Sequence, residues 1–130
     1  MSIDEKRYEF VTAQCRYCNE KIIESFNLFI KLVTGIVGGM IFLDLNLAVN
    51  DPKRGTYLNA STVLIVLIGV STLFQVWRYQ ISWWGYRIAE IKITAEAPAL
   101  RKWWSRSSEI SMTIAVIATP LCFWYFNPLR

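Results

Sequence analysis

The chain contains no histidine. That removes the side chain most often used as a general base and the commonest metal ligand, and with it every Ser–His–Asp arrangement. Paired catalytic carboxylates, phosphate-cradling glycine loops and metal-ligand clusters are missing as well. Neither an enzyme, nor a cofactor, nor a small-molecule substrate is expected. Charge is scarce too: Asp, Glu, Lys and Arg make up 18% of the residues, against about 25% in ordinary globular chains. At 130 residues there is room for one domain.

No secretory leader is expected. The first 27 residues carry Asp4, Glu5, Lys6, Arg7, Glu9, Arg16, Glu20, Lys21 and Glu24, with no uninterrupted apolar core. The first membrane span is therefore expected to act as the insertion signal.

What the chain has in excess is hydrophobic residues, at 54%. They are concentrated in three blocks, each long enough to cross a bilayer core of about 30 Å with ~20 residues. The expected fold class is all-α: an integral membrane protein with about three transmembrane helices and amphipathic helical extensions on the cytoplasmic side. Ser2-Ile3-Asp4-Glu5 has the form of a capping box, and no Gly or Pro follows before Lys31. Tyr8, Val11, Cys15, Cys18 and Ile22 recur at alternating spacings of three and four. This predicts an amphipathic helix over residues 2–27 with one packing seam.

Span one is expected over residues 28–49, with Lys31 near its start and able to snorkel to the interface. Asn50 to Gly55 reads as a polar turn in which Pro52 and Gly55 end the helix. Span two, residues 60–77, carries no charge. After Arg78 the apolar residues thin to Ile81, Trp84, Ile88 and Ile91, which predicts an amphipathic continuation to about Glu96, before Pro98. That face offers a partner, antiparallel, for the seam of the first helix. Residues 78–106 form a cytoplasmic or interfacial segment, and span three covers 108–126, with a possible kink at Pro120.

The net charge of +4 raises nucleic acid as a partner. The positions of the basic residues answer it. With Lys31 set aside as a boundary residue, ten Lys and Arg fall on one side of the three spans and three on the other. The positive-inside rule then places the N-terminus in the cytoplasm and the C-terminus outside the inner membrane. Trp77, Trp83, Trp84, Trp103 and Trp104 would mark the inner aromatic belt, and Trp124 the outer one.

Four features remain as candidates. Cys15-Arg16-Tyr17-Cys18 has the spacing of thiol redox motifs, which place the thiolate at a helix N-terminus after a strand. Here the pair lies inside a predicted helix with no strand before it. Zinc needs four ligands, and Cys122 is expected across the membrane, so only pairs pooled between subunits would suffice. Two small seam residues packing on a helix is the simpler reading. Gly35-x-x-x-Gly39, with Gly38 beside it, permits close helix approach. Ser111, Ala115 and Thr119 place small residues at every fourth position of span three.

Asp44 is the acidic residue within a span. It would face a bundle interior or an ion path, or lie in the headgroups beside Lys53 and Arg54.

These features point to a small non-enzymatic subunit of a membrane complex, held to other subunits or to itself by helix packing in the lipid bilayer. The alternative is a self-assembling pore gated by its cytoplasmic helices. The layout resembles that of small two- to four-helix effector proteins of prokaryotic defence systems, a likeness of layout that no family motif carries. A pore requires a polar stripe along one span, and Ser61, Thr62, Ser71, Thr72 and Gln75 in span two, with Thr34, Asp44 and Asn46 in span one, are few. The subunit reading is therefore placed first.

Overall fold

A computed structural model describes residues 2–94 and 107–126. They form three helices: α1 (Ile3–Asn46), α2 (Lys53–Thr94) and α3 (Ser107–Phe126). All three are long and apolar enough to cross a membrane.

The start of α1 is set by the capping box. The Glu5 backbone N–H donates to the Ser2 hydroxyl at 3.2 Å, and the Ser2 N–H donates to the Glu5 carboxylate at 2.6 Å. Asp4 and Glu5 add negative charge where the helix dipole favours it. No break separates the charged N-terminal part from the apolar part, so the two segments expected from the sequence are one helix of 44 residues.

The helix stops at Asn46, whose amide donates to the Phe42 carbonyl at 2.7 Å while Leu47 turns extended. Asp51 then organises the turn. Its carboxylate accepts from the Lys53 N–H at 2.8 Å and its carbonyl from the Arg54 N–H at 3.1 Å. Pro52 directly precedes α2, where a missing N–H leaves no bond unmade. The turn is therefore shorter than expected: Lys53, Arg54 and Gly55 already belong to α2, which starts seven residues before the expected span.

α1 and α2 lie antiparallel. Their register is given by three contacts: Ser25 with Gln75, Tyr17 with Tyr79, and Asp44 with Arg54. α1 buries Val11, Cys15, Cys18, Ile22, Ser25, Phe29 and Met40, and α2 buries Ser61, Ile65, Gly69, Thr72, Val76, Gln80 and Glu90. The face of α2 includes the small residues Ser61, Gly69 and Thr72, which let helices approach closely. Its hydroxyls are satisfied within the helix, Ser61 by Leu58 O at 2.9 Å and Thr72 by Ile68 O at 2.8 Å.

This face corrects one expectation. Of the expected face Ile81, Trp84 and Ile88 are exposed at 71%, 37% and 41%, and only Ile91 is half-buried. A continuous helix has one packing face. Ser61, Gly69 and Thr72 set it within the uncharged stretch, and 3.6 residues per turn carry it on to Gln80 and Glu90. The Ile81–Trp84–Ile88 stripe instead continues the outward face of Leu67, Val70, Phe74 and Trp77.

α3 packs on α2 through Val116 and Phe123, both buried. Met40, Ile65 and Phe123 form a cluster to which all three helices contribute, bordered by Ile36, Leu43 and Leu58. Pro120 lies within α3.

Candidate functional site

The end of the α1–α2 pair at the connecting turn is closed by an ion pair. Arg54 donates to the Asp44 carboxylate, and also to the Leu47 carbonyl at 3.3 Å. The Arg54 side chain is 14% exposed and that of Asp44 35%. Asp44 is thus paired within the chain, near the end of α1.

At the other end of the pair, Val11, Cys15, Cys18 and Ile22 are buried as a seam, while Tyr8 stays 40% exposed. Burial raises the pKa of both thiols. For Cys15 the Glu90 carboxylate raises it further, partly offset by Arg87. Arg87 in turn holds Glu90, which is itself buried. Protonated buried thiols are poor nucleophiles. Among the described residues no group of three or more His, Cys, Asp and Glu side chains could hold a metal ion.

Between these ends lies the part that the sequence did not resolve. Residues 55–77 of α2 carry no charge, a stretch of 23 residues or ~34 Å at 1.5 Å per residue. Through the contacts above, α1 residues from about Lys21 to Leu43 lie beside it. Lys31 is six residues from Ser25, ~9 Å, and thirteen from Asp44, ~20 Å. It therefore sits ~12 Å inside the Trp77 end of the uncharged stretch, about twice what a four-carbon stem spans. In this register Lys31 lies beside the interior of the uncharged stretch of α2 and not level with its Trp77 end.

Glu24, Asn27, Lys31, Thr34, Gly35 and Gly38 are all exposed. At 3.6 residues per turn they share the side of α1 opposite Ile22, Phe29 and Met40. Neither α2 nor α3 covers it. A Cβ added at Gly35, Gly38 or Gly39 would meet nothing within 4 Å. The Thr34 hydroxyl donates to Ile30 O at 2.8 Å, while Lys31 has no carboxylate within ion-pair distance among the described residues.

The close approach within the chain occurs at Gly69. A Cβ there would lie 3.5 Å from Val116 Cγ1 and 3.9 Å from Phe29 Cε2, so α1 and α3 meet α2 at one glycine. Ser61, Gly69 and Thr72 on one face of span two are the signal that could have identified it. Of the small residues of α3, Ser111 and Ala115 are exposed and Thr119 is half-buried. Ala115 and Thr119 line a hollow of about 500 Å³ whose other wall includes Val37 and Met40 of α1.

Among the tryptophans, Trp77, Trp84 and Trp124 are exposed and Trp83 is half-buried, its ring 6.4 Å from that of Trp84. Trp103 and Trp104 lie outside the described residues. Compared with protein-family models, curated proteins and solved structures, the chain matches none.

Proposed function

We propose that the chain is a non-enzymatic membrane subunit that assembles with copies of itself through the uncovered face of α1. The observation that carries this is the placement of Asn27, Lys31 and the bare backbone of Gly35 and Gly38 on an exposed face beside the uncharged stretch of α2. A lysine facing lipid at that depth costs several kcal/mol, ~3 on insertion scales. Exposed glycines forgo the packing that drives helix association in lipid. Both costs fall when another helix or enclosed water takes the place of lipid. The proposed setting is the inner membrane, with the N-terminus cytoplasmic, as the basic residues suggest.

Sizing of the detergent-solubilised protein by light scattering tests this. A discrete multimer is expected for the wild type and a smaller species for Gly35→Leu. A wild type that is monomeric in mild detergent and in nanodiscs would overturn the proposal.

One observation favours a second reading, in which the assembly encloses an ion path. Asn27, Lys31 and Thr34 form the polar stripe that such a path needs, and a ring of lysines favours anions. In planar bilayers Lys31→Gln should then change conductance or anion preference. Asp44→Asn should leave both unchanged, because Asp44 is engaged with Arg54.

A further inference from the structure

Arg78 is the first charged residue of α2 after the uncharged stretch, and Trp77 directly precedes it. Across from it on α1 lies Lys21, bracketed by the Tyr17–Tyr79 ring contact at 6.3 Å and the Ser25–Gln75 hydrogen bond at 3.0 Å. Between the two helices at this level is a hollow of about 390 Å³, lined by Tyr17, Lys21, Ser25, Gln75, Arg78 and Tyr79. Glu24 and Leu28 complete its wall.

Hydrogen-bond donors prevail among the polar groups of this hollow. Two cations and two phenols are hydrogen-bond donors, and neither phenol donates to a protein acceptor among the described residues. The Glu24 carboxylate is held by Lys21 at 2.5 Å, and the Lys21 ammonium also sits 5.7 Å from the centre of the Tyr17 ring. That pair cancels itself. The Arg78 guanidinium has no carboxylate within ion-pair distance among the described residues, so it remains the uncompensated charge of the hollow. A planar guanidinium fork beside hydroxyl donors matches the geometry of a phosphate.

The position selects which phosphate. The hollow opens at the end of the uncharged stretch, next to the exposed Trp77. Leu28 lines it, and Leu28 and Leu32 are exposed at 53% and 42% along α1 toward the membrane interior. A ligand with an anionic head and an apolar tail satisfies both ends at once. Basic pockets between helices at the cytoplasmic surface are suited to such headgroups.

We propose that the Tyr17–Lys21–Arg78–Tyr79 hollow binds the phosphate headgroup of an anionic phospholipid, with its acyl chain lying along Leu28 and Leu32. The site lies at the edge of the uncovered α1 face nearest α2, and it does not depend on whether copies of the chain assemble.

Native mass spectrometry of the protein released from mixed micelles containing phosphatidylglycerol or phosphatidylcholine tests it. The wild type should retain phosphatidylglycerol in preference to phosphatidylcholine. Arg78→Gln should retain about fivefold to tenfold less, as loss of one cation at a membrane surface implies. Arg78→Lys should keep an intermediate level. Lys92→Gln removes the same charge from an exposed site outside the hollow and should retain as much lipid as the wild type. Circular dichroism of each variant confirms that the helices persist.

Equal retention by the wild type and Arg78→Gln, or equal loss in Lys92→Gln, would overturn the assignment. Displacement of the lipid by millimolar inorganic phosphate would overturn the lipid source and leave a soluble phosphate as the ligand.

Discussion

Asp44, two residues before the last residue of α1, is ion-paired with Arg54 in the first turn of α2. The pair ties the two ends of the turn that joins the helices, and the Leu47 carbonyl accepts from the same guanidinium. Asp44→Asn keeps an acceptor oxygen and loses the charge. Since the Asp44 side chain is about one-third exposed, the expected loss of stability is about 1 kcal/mol or less. A double-mutant cycle with Arg54→Gln, read by thermal unfolding in detergent, should recover a coupling of the same size. No coupling would mean that the pair does not contribute in solution.

Gly69 and Gly35 should respond oppositely to enlargement. At Gly69 the added methyl of alanine would make ordinary contact with Val116 and Phe29. Gly69→Ala should then stabilise the fold by ~0.5–1 kcal/mol through helix propensity. Gly69→Leu should cost ~1–3 kcal/mol, because α1 or α3 must move away. Gly35→Leu meets open space within the chain. It should not lower the thermal stability of the protomer, while it reduces the size of the assembly. If both leucine variants behave alike, the two glycines are not distinguished as the packing indicates.

The seam thiols supply a pH dependence. Burial holds the pKa of Cys15 and Cys18 above the ordinary value, so the unfolded chain releases these protons first. Their contribution to stability is present in full below about pH 8.5, the free thiol value. It is lost as pH rises through the raised values of the folded state. Replacing both cysteines with alanine should flatten the fall in melting temperature above that pH. The same contrast predicts that maleimide labels Cys15 and Cys18 slowly in the folded protein and rapidly after unfolding.

Topology is tested at the two termini. Ser2→Cys and Leu129→Cys, each in a background without the native cysteines, should be reached by an impermeant thiol reagent from opposite sides of the membrane. Position 129 should label in intact cells and position 2 only after permeabilisation. Labelling of both from one side would rule out an odd number of spans.

By itself the sequence determined what depends on local order: three apolar helices, the capping box that starts the first, and a seam through Val11, Cys15, Cys18 and Ile22. Hydropathy over ~20 residues and a spacing of three and four are properties of neighbours along the chain, so they survive without knowledge of the fold. Which face of each helix is covered was decided by the tertiary structure. Ile81, Trp84 and Ile88 make as regular a stripe as any in the chain, yet they are exposed, because small residues twelve or more positions earlier, at Ser61 and Gly69, fix how α2 lies on α1.

The depth of Lys31 could not be read from its own neighbours either. It looked like a boundary residue against the apolar run that follows it. Only the pairing of Ser25 with Gln75 and of Asp44 with Arg54 sets it beside the interior of the uncharged stretch of α2. The physical reason is that register between two helices is a long-range quantity. It is set by where small residues permit close approach and where polar groups find partners, and a one-helix pattern contains neither.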